Sequence, residues 1–314
     1  MEDLIFSLNA TIPLFLTMVL GLLFRKMKLF NDSFLDGMNS FVFKVALPAA
    51  LFNDLAGEDF FEIWDIKFVL FCFVVTLICI SVSIVLAKCM KLGDETGEFA
   101  QASYRSSAGI MGIAFMENIY GNAGMAPLMI AAAVPLYNIM AVVILSIFKP
   151  NGGRLSKDTV IKTLKGIVTN PIILGIIIGM LWSILKLPRP GIMMKTVKYL
   201  ANVSTPLGLM AVGASFEIGS VMGRLKPALI ASGCKLVIWC AVFIPAAVML
   251  GFTHEKLLAI LVMLGSPTTV SCFIMAKNMG HKGTLTTNAV MITTLLSAFT
   301  LTGWVYLLRV MGLV

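Results

Sequence analysis

The sequence predicts an all-α polytopic membrane protein with ten transmembrane helices, arranged as two inverted repeats of five. Three observations favour this fold class. The chain of 314 residues is 59% hydrophobic and only 13% charged, which is unlike a soluble globular domain. Apolar runs of about twenty residues, the length of helix that crosses a bilayer, recur along the whole chain. A polar connection at residues 149–165 divides these runs into two series of five.

The first repeat, residues 1–148, contains five runs that are long enough to span the bilayer. They cover residues 4–24, 33–55, 66–87, 99–120 and 126–148. After the connection, which is predicted to be cytoplasmic, the second repeat covers residues 166–314. Its five runs cover residues 168–185, 196–217, 227–250, 255–277 and 285–310. Because each repeat has an odd number of helices, the second enters the membrane from the opposite side, and the repeats are inverted.

Lysine and arginine in the loops predict the orientation, because cytoplasmic loops carry an excess of both. The odd-numbered loops hold about twice as many of them as the opposite side, which places both termini outside. The sixth loop goes against this pattern, since it holds Lys186, Arg189, Lys195 and Lys198. The net charge of +8 comes largely from these short basic loops. It therefore indicates anionic lipid of the bilayer as the partner, rather than nucleic acid.

Helix-breaking residues interrupt two pairs of runs at corresponding places in the repeats. They are Pro48 and Pro206 in the second and seventh runs, and Gly109 and the segment 265–267 in the fourth and ninth. Proline removes a backbone donor and glycine lets a turn unwind, so the freed backbone groups need a protein, water or ligand partner inside lipid. A kink packed against neighbouring helices is one interpretation. Paired interruptions favour the other, a transport site at the membrane midplane.

Cysteine and histidine give no sign of a metal site, a cofactor or an enzyme. The six cysteines show no CxxC or metal-ligand spacing, so we expect reduced thiols in the core. The two histidines, His254 and His281, fall in short connections, where we expect them to be solvated. The sequence also has no HExxH motif, no nucleophile–base pair and no paired buried aspartates, and we therefore expect no enzymatic activity.

An ordered set of short segments runs through nearly the whole chain. They are LPAALF at 47–52, YRSSAGIMGIAF at 104–115, Tyr137 with Asn138, NPIILGIIIGMLWSILKLPRP at 170–190, STPLGLMAVG at 204–213 and SPTTVSCFIMAKNMG at 266–280. Together they resemble the auxin efflux carrier family, which includes plant PIN-type carriers and bacterial permeases for organic anions. The fourth helix departs from the family pattern RGN-x-GF-x-G-x-P, because Ser107 and Ala114 stand where asparagine and proline are usual.

This resemblance implies a ten-helix fold in which the broken fourth and ninth helices cross near the substrate. It implies a scaffold domain built from the first, second, sixth and seventh helices. The third to fifth and eighth to tenth helices would form a transport domain that carries the crossover and moves against the scaffold. The resemblance also implies a homodimer, and the family's bacterial members suggest the cytoplasmic (inner) membrane of a bacterium as the location.

At such a crossover, exposed backbone N–H groups and half-helix N-termini present positive charge, which suits an anionic substrate. Hydroxyls at the two breaks can donate hydrogen bonds to a carboxylate, and they belong to Ser106, Ser107, Ser266, Thr268 and Thr269. They can equally bond to helix carbonyls, as serine and threonine do in membranes. The remaining candidates in the backbone of the breaks are Ala108, Gly109 and Pro267.

Arg105 lies beside the first break and can hold a carboxylate with two parallel hydrogen bonds; snorkelling to the membrane surface is the alternative. Lys44 and Lys235, the other cations inside apolar runs, are expected to be structural or interfacial. Tyr137 and Asn138 of the fifth helix can line the pocket or satisfy a neighbouring helix. On the scaffold side, where packing is the alternative role, the candidates are Pro48, Phe52, Asn53 and Pro206.

We therefore expect a secondary transporter that moves a small organic anion, with a carboxylate as the preferred class, by alternating access. A bile-acid-type sodium symporter would share this architecture and is the main alternative. A membrane sensor is a hypothesis of another class, which the lack of a soluble output domain disfavours. No carboxylate is evident in mid-membrane, which disfavours cation–proton exchange. The coupling ion, a proton or sodium, stays open, since the membrane potential alone could drive export of an anion.

Overall fold

The computed structural model describes residues 2–56, 65–108, 111, 115–116, 119–121, 124–150, 169–215 and 218–314. Within these residues the regular structure is entirely helical, with no strand. Five of the described helices are long and apolar enough to cross a membrane, and a shorter one is also apolar. The prediction of an all-α polytopic membrane protein is thereby confirmed. The predicted connection at 149–165 lies almost entirely outside the described residues.

The helices of the first half are α1 (Glu2–Lys26), α2 (Asp32–Ala56), α3 (Ile66–Cys89), α4 (Thr96–Tyr104) and α5 (Ala126–Ile147). Those of the second half are α6 (Pro171–Ile184), α7 (Gly191–Asn202), α8 (Ser204–Ala214), α9 (Ile218–Gly233 and Trp239–Met249), α10 (His254–Gly265), α11 (Ser271–Asn278) and α12 (Thr284–Val310). Two helices contain a π-helical turn, Val42–Ala46 in α2 and Cys234–Ile238 in α9. The predicted spans at 196–217 and 255–277 are each divided between two helices.

Residues at the helix starts explain several of these boundaries. The Asn31 side chain accepts a hydrogen bond from Phe34 N (2.8 Å) where α2 begins, and the Asp65 side chain accepts one from Phe68 N (3.1 Å) where α3 begins. Such caps satisfy donors that the first turn of a helix leaves free. α6 begins with Pro171, which suits that position because proline has no N–H to lose.

The buried apolar side chains form two main clusters. One joins α3, α5, α9, α10 and α12 with the end of α4, and the other joins α1, α2, α6 and α8 with α11 and part of α5. Glycine lets helices of the second cluster touch. A Cβ at Gly213 in α8 would lie 1.8 Å from Met18 O in α1, and one at Gly175 in α6 would lie 2.7 Å from Pro48 O in α2. Small residues of this kind allow membrane helices to pack backbone against backbone.

Two polar side chains near the start of α12 are more buried than the sequence suggests. His281 is 4% exposed, with Nε2 2.9 Å from Leu145 O, so the prediction that it is solvated is wrong. The physical reason is that the short connection between α11 and α12 packs against the end of α5. Glu98 of α4 is 1% exposed and accepts hydrogen bonds from Gly283 N (2.9 Å) and Thr286 N (3.2 Å). Its carboxylate therefore caps the N-terminus of α12.

The other predicted core and loop residues are placed as follows. All six cysteines are free, and five are buried while Cys89 is exposed. His254 is exposed, as predicted. Lys44 is exposed in the π-helical turn of α2, whereas Lys235, in the π-helical turn of α9, is completely buried. The two lysines thus have the same local backbone but opposite surroundings.

Candidate functional site

Two helices end in the buried interior of the helical bundle. α4 ends at Tyr104, and Arg105 is extended (φ −74°, ψ 134°). α10 ends at Gly265, and Ser266 is extended (φ −69°, ψ 158°) before α11 begins. Pro267 explains the second break, because the residue before a proline avoids the helical conformation and proline itself has no N–H to donate.

The two breaks are bonded to each other. Ser107 N donates a hydrogen bond to Pro267 O (2.9 Å), and Thr268 Oγ1 donates one to Ala102 O (2.7 Å). Thr268 N donates to Thr293 Oγ1 of α12 (3.0 Å). These bonds satisfy backbone groups that a broken helix leaves free, as a break inside a membrane requires. The Thr268 hydroxyl therefore bonds to a helix carbonyl, in line with the second of the two interpretations of these hydroxyls.

The C-terminal end of α10 is held by donors from three other segments. Met263 O accepts hydrogen bonds from Ser106 Oγ, Tyr137 Oη (3.3 Å) and Lys235 Nζ (3.3 Å). Lys235 Nζ also donates to Leu264 O. Donors at this position complement the partial negative charge of a helix C-terminus. The end of α10 is consequently fixed to α5, to α9 and to the segment after α4.

Arg105 is buried, and its hydrogen-bond partners among the described residues are neutral. Its side chain is 1% exposed, so it does not snorkel to the surface. Nη2 donates hydrogen bonds to Asn138 Oδ1 and Ser271 Oγ, both at 2.7 Å. Nη1 donates to Gln101 Oε1 (3.3 Å) and lies 2.9 Å from Met275 Sδ. Nε is buried and has no hydrogen-bond partner within the described part of the chain.

No carboxylate forms an ion pair with Arg105 in the part of the chain that the structure describes. The ion pairs found among the described residues, Arg25 with Asp32 and Lys256 with Asp65, do not involve it. A buried charge without a counter-ion costs several kcal/mol, so the surroundings of this guanidinium favour an anion. The described residues contain no group of three His, Cys, Asp or Glu side chains that could hold a metal ion.

A cavity of about 320 Å³ lies beside this guanidinium. Its wall contains both polar and apolar residues and comes from α2, the end of α4, α5, the α7–α8 junction and the break before α11. The polar lining residues are Asn53, Asp54, Arg105, Ser106, Ser107, Tyr137, Asn138, Asn202, Ser204, Thr205, Thr269 and Ser271. Asp54 is the carboxylate in this set, and it is exposed near the end of α2. We call this space the Arg105 cavity.

Seven of the fifteen predicted site residues meet at the Arg105 cavity. Those in its wall are Arg105, Ser106, Ser107, Tyr137, Asn138, Thr269 and, from the scaffold side, Asn53. Pro267 and Thr268 line a smaller adjoining cavity of about 40 Å³, which shares Ser107 and Thr269 with the first. The structure thus brings the two breaks, the fifth predicted span and the end of the second around one space.

Some predicted residues line neither cavity, and these are Ala108, Ser266, Pro48, Phe52 and Pro206. Phe52 packs edge-on against Trp182 of α6, with ring centroids 5.6 Å apart. The backbone of Pro48 also faces α6, so this side of α2 has a packing role. Ser266 is fully buried, and its hydroxyl has no partner among the described residues. Gly109 lies outside the described residues.

Sequence reasoning missed several partners of Arg105. Gln101 lies four residues before it on α4 and also donates to Cys272 O (2.9 Å), which ties α4 to α11. The spacing of four places both side chains on one helix face and could have identified the pair. Ser271 follows the break by a few residues, and only its short distance to Arg105 reveals its role. Met275 is part of the buried core, and its sulfur also contacts the guanidinium.

Comparison with known proteins identifies the family of this chain. A family model described as "Membrane transport protein" matches residues 6–305. A protein of Rhizobium meliloti (strain 1021) named "Putative malonate transporter" is 26% identical over 318 residues, which cover 95% of this chain and 94% of that protein. Because the family model spans nearly the whole chain, the protein belongs to the membrane transport protein family, the auxin efflux carrier family that its motifs resemble.

Proposed function

We propose that this protein is a secondary transporter that carries a small organic anion across the membrane, and that a carboxylate of the anion binds at Arg105. The observation that carries the proposal is a fully buried guanidinium beside a partly polar cavity. In the described part of the chain, its hydrogen-bond partners are neutral and its Nε is free. An arginine can bind a carboxylate with two parallel hydrogen bonds. Membership of a transport family supports a carrier rather than an enzyme.

A short dicarboxylate of the malonate type is the substrate that we propose. The relative named for malonate supports this class. The cavity also offers neutral donors for a second carboxylate, since the hydroxyl-bearing residues Ser107, Thr205 and Thr269 line it with Arg105. Hydroxyls donate hydrogen bonds without adding charge, so one carboxylate would be paired with the guanidinium and the other with hydroxyls.

Alternating access between two bodies is the mechanism that we propose. The Arg105 cavity has α2, α7 and α8 on one side and the end of α4, α5 and the break before α11 on the other. The first set would belong to a scaffold of α1, α2 and α6–α8, and the second to a transport domain of α3–α5 and α9–α12. A polar cavity at their boundary supports sliding of one against the other, because its contacts can exchange partners with substrate and water.

The finer architecture is part of the same proposal. Counting α7 with α8 and α10 with α11 as interrupted spans, and α4 as the start of another, gives ten spans in two inverted repeats, 1–148 and 166–314, with the connection 149–165 between them. The basic loops support a cytoplasmic position for that connection and an outer position for both termini. We also propose a homodimer in the cytoplasmic (inner) membrane of a bacterium, on the strength of the family resemblance.

Counterflow of labelled malonate in proteoliposomes tests this function. We expect the wild type to exchange internal malonate for labelled external malonate, and Arg105→Gln to bind it about 10- to 100-fold more weakly, because a hydrogen bond to a charged group contributes about 1.5–3 kcal/mol. Arg105→Lys keeps the charge but loses the planar, two-bond geometry, so we expect intermediate binding. Arg25→Gln is the matched control, since that arginine is partly exposed and pairs with Asp32.

A neutral competitor separates charge recognition from shape. Malonamide has nearly the shape of malonate without its charge, so we expect it not to compete for uptake by the wild type. Competition by malonamide as strong as that by unlabelled malonate would contradict binding at a guanidinium. Equal counterflow by Arg105→Gln and the wild type would contradict it as well.

A further inference from the structure

Lys235 holds its ammonium group at the broken end of α10. The lysine lies in the π-helical turn of α9, its side chain is fully buried, and Nζ donates to Met263 O (3.3 Å) and Leu264 O. These carbonyls are among the last of α10 before the break at Ser266. π-Helical turns inside α-helices often occur at functional sites, and this turn directs a cation into the interior.

The end of a half-helix inside a membrane is a site for a cation. Its free carbonyls carry partial negative charge, and in many transporters with broken helices such carbonyls coordinate the coupling sodium ion. Here an ammonium group of the chain itself takes that position. No carboxylate pairs with Lys235 in the ion pairs found among the described residues, so the carbonyls of α10 are the groups that compensate its charge.

The same carbonyl connects this cation to the substrate site. Met263 O accepts hydrogen bonds from Ser106 and Tyr137 as well as from Lys235. Ser106 and Tyr137 both line the Arg105 cavity. A change in the occupancy of the cation position would therefore alter the bonds of two residues in the cavity wall.

We propose that Lys235 is a built-in cation that replaces a coupling sodium ion at the end of α10, so that anion transport by this protein does not depend on sodium. The proposal rests on the proposed transport function and decides against the sodium-symporter alternative. It also explains why a lysine is buried here although isolated charges in membranes are costly. The ammonium group donates hydrogen bonds to the carbonyls that the break in α10 leaves free.

Lys44 provides a matched control. It lies in the π-helical turn of α2, as Lys235 lies in that of α9, but its side chain is exposed. Replacing either lysine with alanine removes the same atoms from the same type of turn. The carbonyls at the end of α10 lose a partner only in Lys235→Ala.

The first measurement uses the wild type alone, with uptake of labelled malonate driven by a membrane potential in choline chloride or sodium chloride. Coupling between two ligands changes affinity by about 5- to 150-fold. We therefore expect the two uptake rates to agree to within about fivefold. A larger stimulation by sodium would overturn the proposal, and this result does not depend on the folding of any variant. Absence of malonate uptake in both salts would count against the proposed function instead.

The second measurement follows the melting temperature of purified protein in choline, sodium and methylammonium chloride. In choline we expect Lys235→Ala to melt lower than the wild type, because buried carbonyls lose their donor. We expect sodium or methylammonium to restore at least half of that loss in Lys235→Ala and to change the wild type and Lys44→Ala little. Identical melting of Lys235→Ala in all three salts would overturn the proposal. Because no substrate is added, this outcome is independent of which anion is transported.

Discussion

Two helix contacts in this protein are held by opposite kinds of interaction. Where α1 meets α8, a Cβ at Gly213 would lie 1.8 Å from Met18 O, so the backbones touch without side chains between them. Where α4 meets the break between α10 and α11, buried hydrogen bonds join the two segments. One of them runs from Thr268 Oγ1 to Ala102 O. The first contact depends on shape alone and the second on polar partners.

This difference indicates which region is fixed and which can change. Apolar helices whose backbones touch are held together by close packing. The dispersion energy of this packing is lost when the helices move apart. Hydrogen bonds at a break can instead exchange partners with a ligand or water. We therefore expect the α1–α8 contact to fail as a unit when its packing is disturbed, and the break region to lose transport before it loses its fold.

The largest effect is expected for Gly213→Ala. The new Cβ would overlap a backbone carbonyl of α1, which no rotamer change can relieve, so α1 and α8 must separate. Overpacking of this kind costs about 1–3 kcal/mol or more, and we expect a lower melting temperature and a low yield of monodisperse protein. Fluorescence-detected gel filtration of the solubilised variant, with a melting curve, measures both.

Gly233→Ala provides the control for this change. A Cβ at Gly233 in α9 meets no atom within 4 Å, and alanine has a better helix propensity than glycine by about 1 kcal/mol. The control should melt at or slightly above the wild-type temperature. If Gly213→Ala melts at the same temperature as Gly233→Ala, α1 and α8 are not held by tight backbone packing.

Pro267→Ala should have the next largest effect, and it should affect transport rather than folding. Alanine supplies an N–H and allows Ser266 to become helical, so α10 and α11 can approach one continuous helix. The bond from Ser107 N to Pro267 O (2.9 Å) would then be weakened. We expect normal insertion and a malonate counterflow rate reduced by about tenfold. A rise of about 1.4 kcal/mol in the activation barrier for transport produces a change of this size.

Pro245→Ala is the matched control, because Pro245 lies inside the helical segment Trp239–Met249 of α9 rather than at a break. Counterflow by this variant should be close to that of the wild type. Wild-type counterflow in Pro267→Ala would mean that the break at Ser266 has no function in transport.

The sequence could predict the breaks and part of the cavity wall, because proline, glycine and hydroxyl residues mark them directly. It could not predict which group accepts the hydrogen bond of each hydroxyl. Ser106 and Thr268 turned out to bond to carbonyls of segments distant in sequence, Met263 and Ala102, and such pairs follow from packing rather than from local pattern. His281 was misjudged for the same reason, since its burial depends on Leu145 O of a distant helix.

The scaffold side shows a second limit. Pro48 and Phe52 belong to the motif LPAALF, which Asn53 directly follows, yet they face α6 while Asn53 faces the cavity. A motif gives the order of the residues. The direction in which each side chain points depends on how the helix is rotated about its axis, and this rotation depends on what packs against each face. The π-helical turn just before Pro48 changes that rotation, and no residue type in the sequence announces it.

Ser107→Asn tests whether the cavity resembles that of the family, where asparagine is usual at this position. Ser107 is half-buried and lines both cavities. Its bond to Pro267 uses the backbone N–H, which the substitution preserves. We expect malonate affinity to change by less than about tenfold, or 1.4 kcal/mol, since an amide replaces one donor with another. Complete loss of binding, measured by isothermal titration, would show that the cavity is shaped for a different ligand.

Asp65→Asn should give the smallest effect and concerns a third kind of contact, an ion pair at the edge of the helices. Asp65 Oδ2 lies 2.5 Å from Lys256 Nζ, which links the start of α3 to α10, and its side chain is 26% exposed. The hydrogen bond from Lys256 holds the pKa of this carboxyl below its usual value. Asparagine keeps the helix cap, so only the ion pair is lost, which is worth about 0.2–1 kcal/mol at a partly exposed site.

The pH dependence distinguishes the ion pair from the cap. A carboxyl with a lowered folded-state pKa stabilises the fold above its unfolded pKa of about 3.9, and this contribution disappears as the pH falls through the lower folded value. The melting temperature of Asp65→Asn should therefore lie slightly below that of the wild type at pH 7 and approach it when the pH falls below the folded pKa. Asp65→Ala loses the cap too and should remain lower at both pH values. A difference between Asp65→Asn and the wild type that does not change with pH would contradict a stabilising ion pair between Asp65 and Lys256.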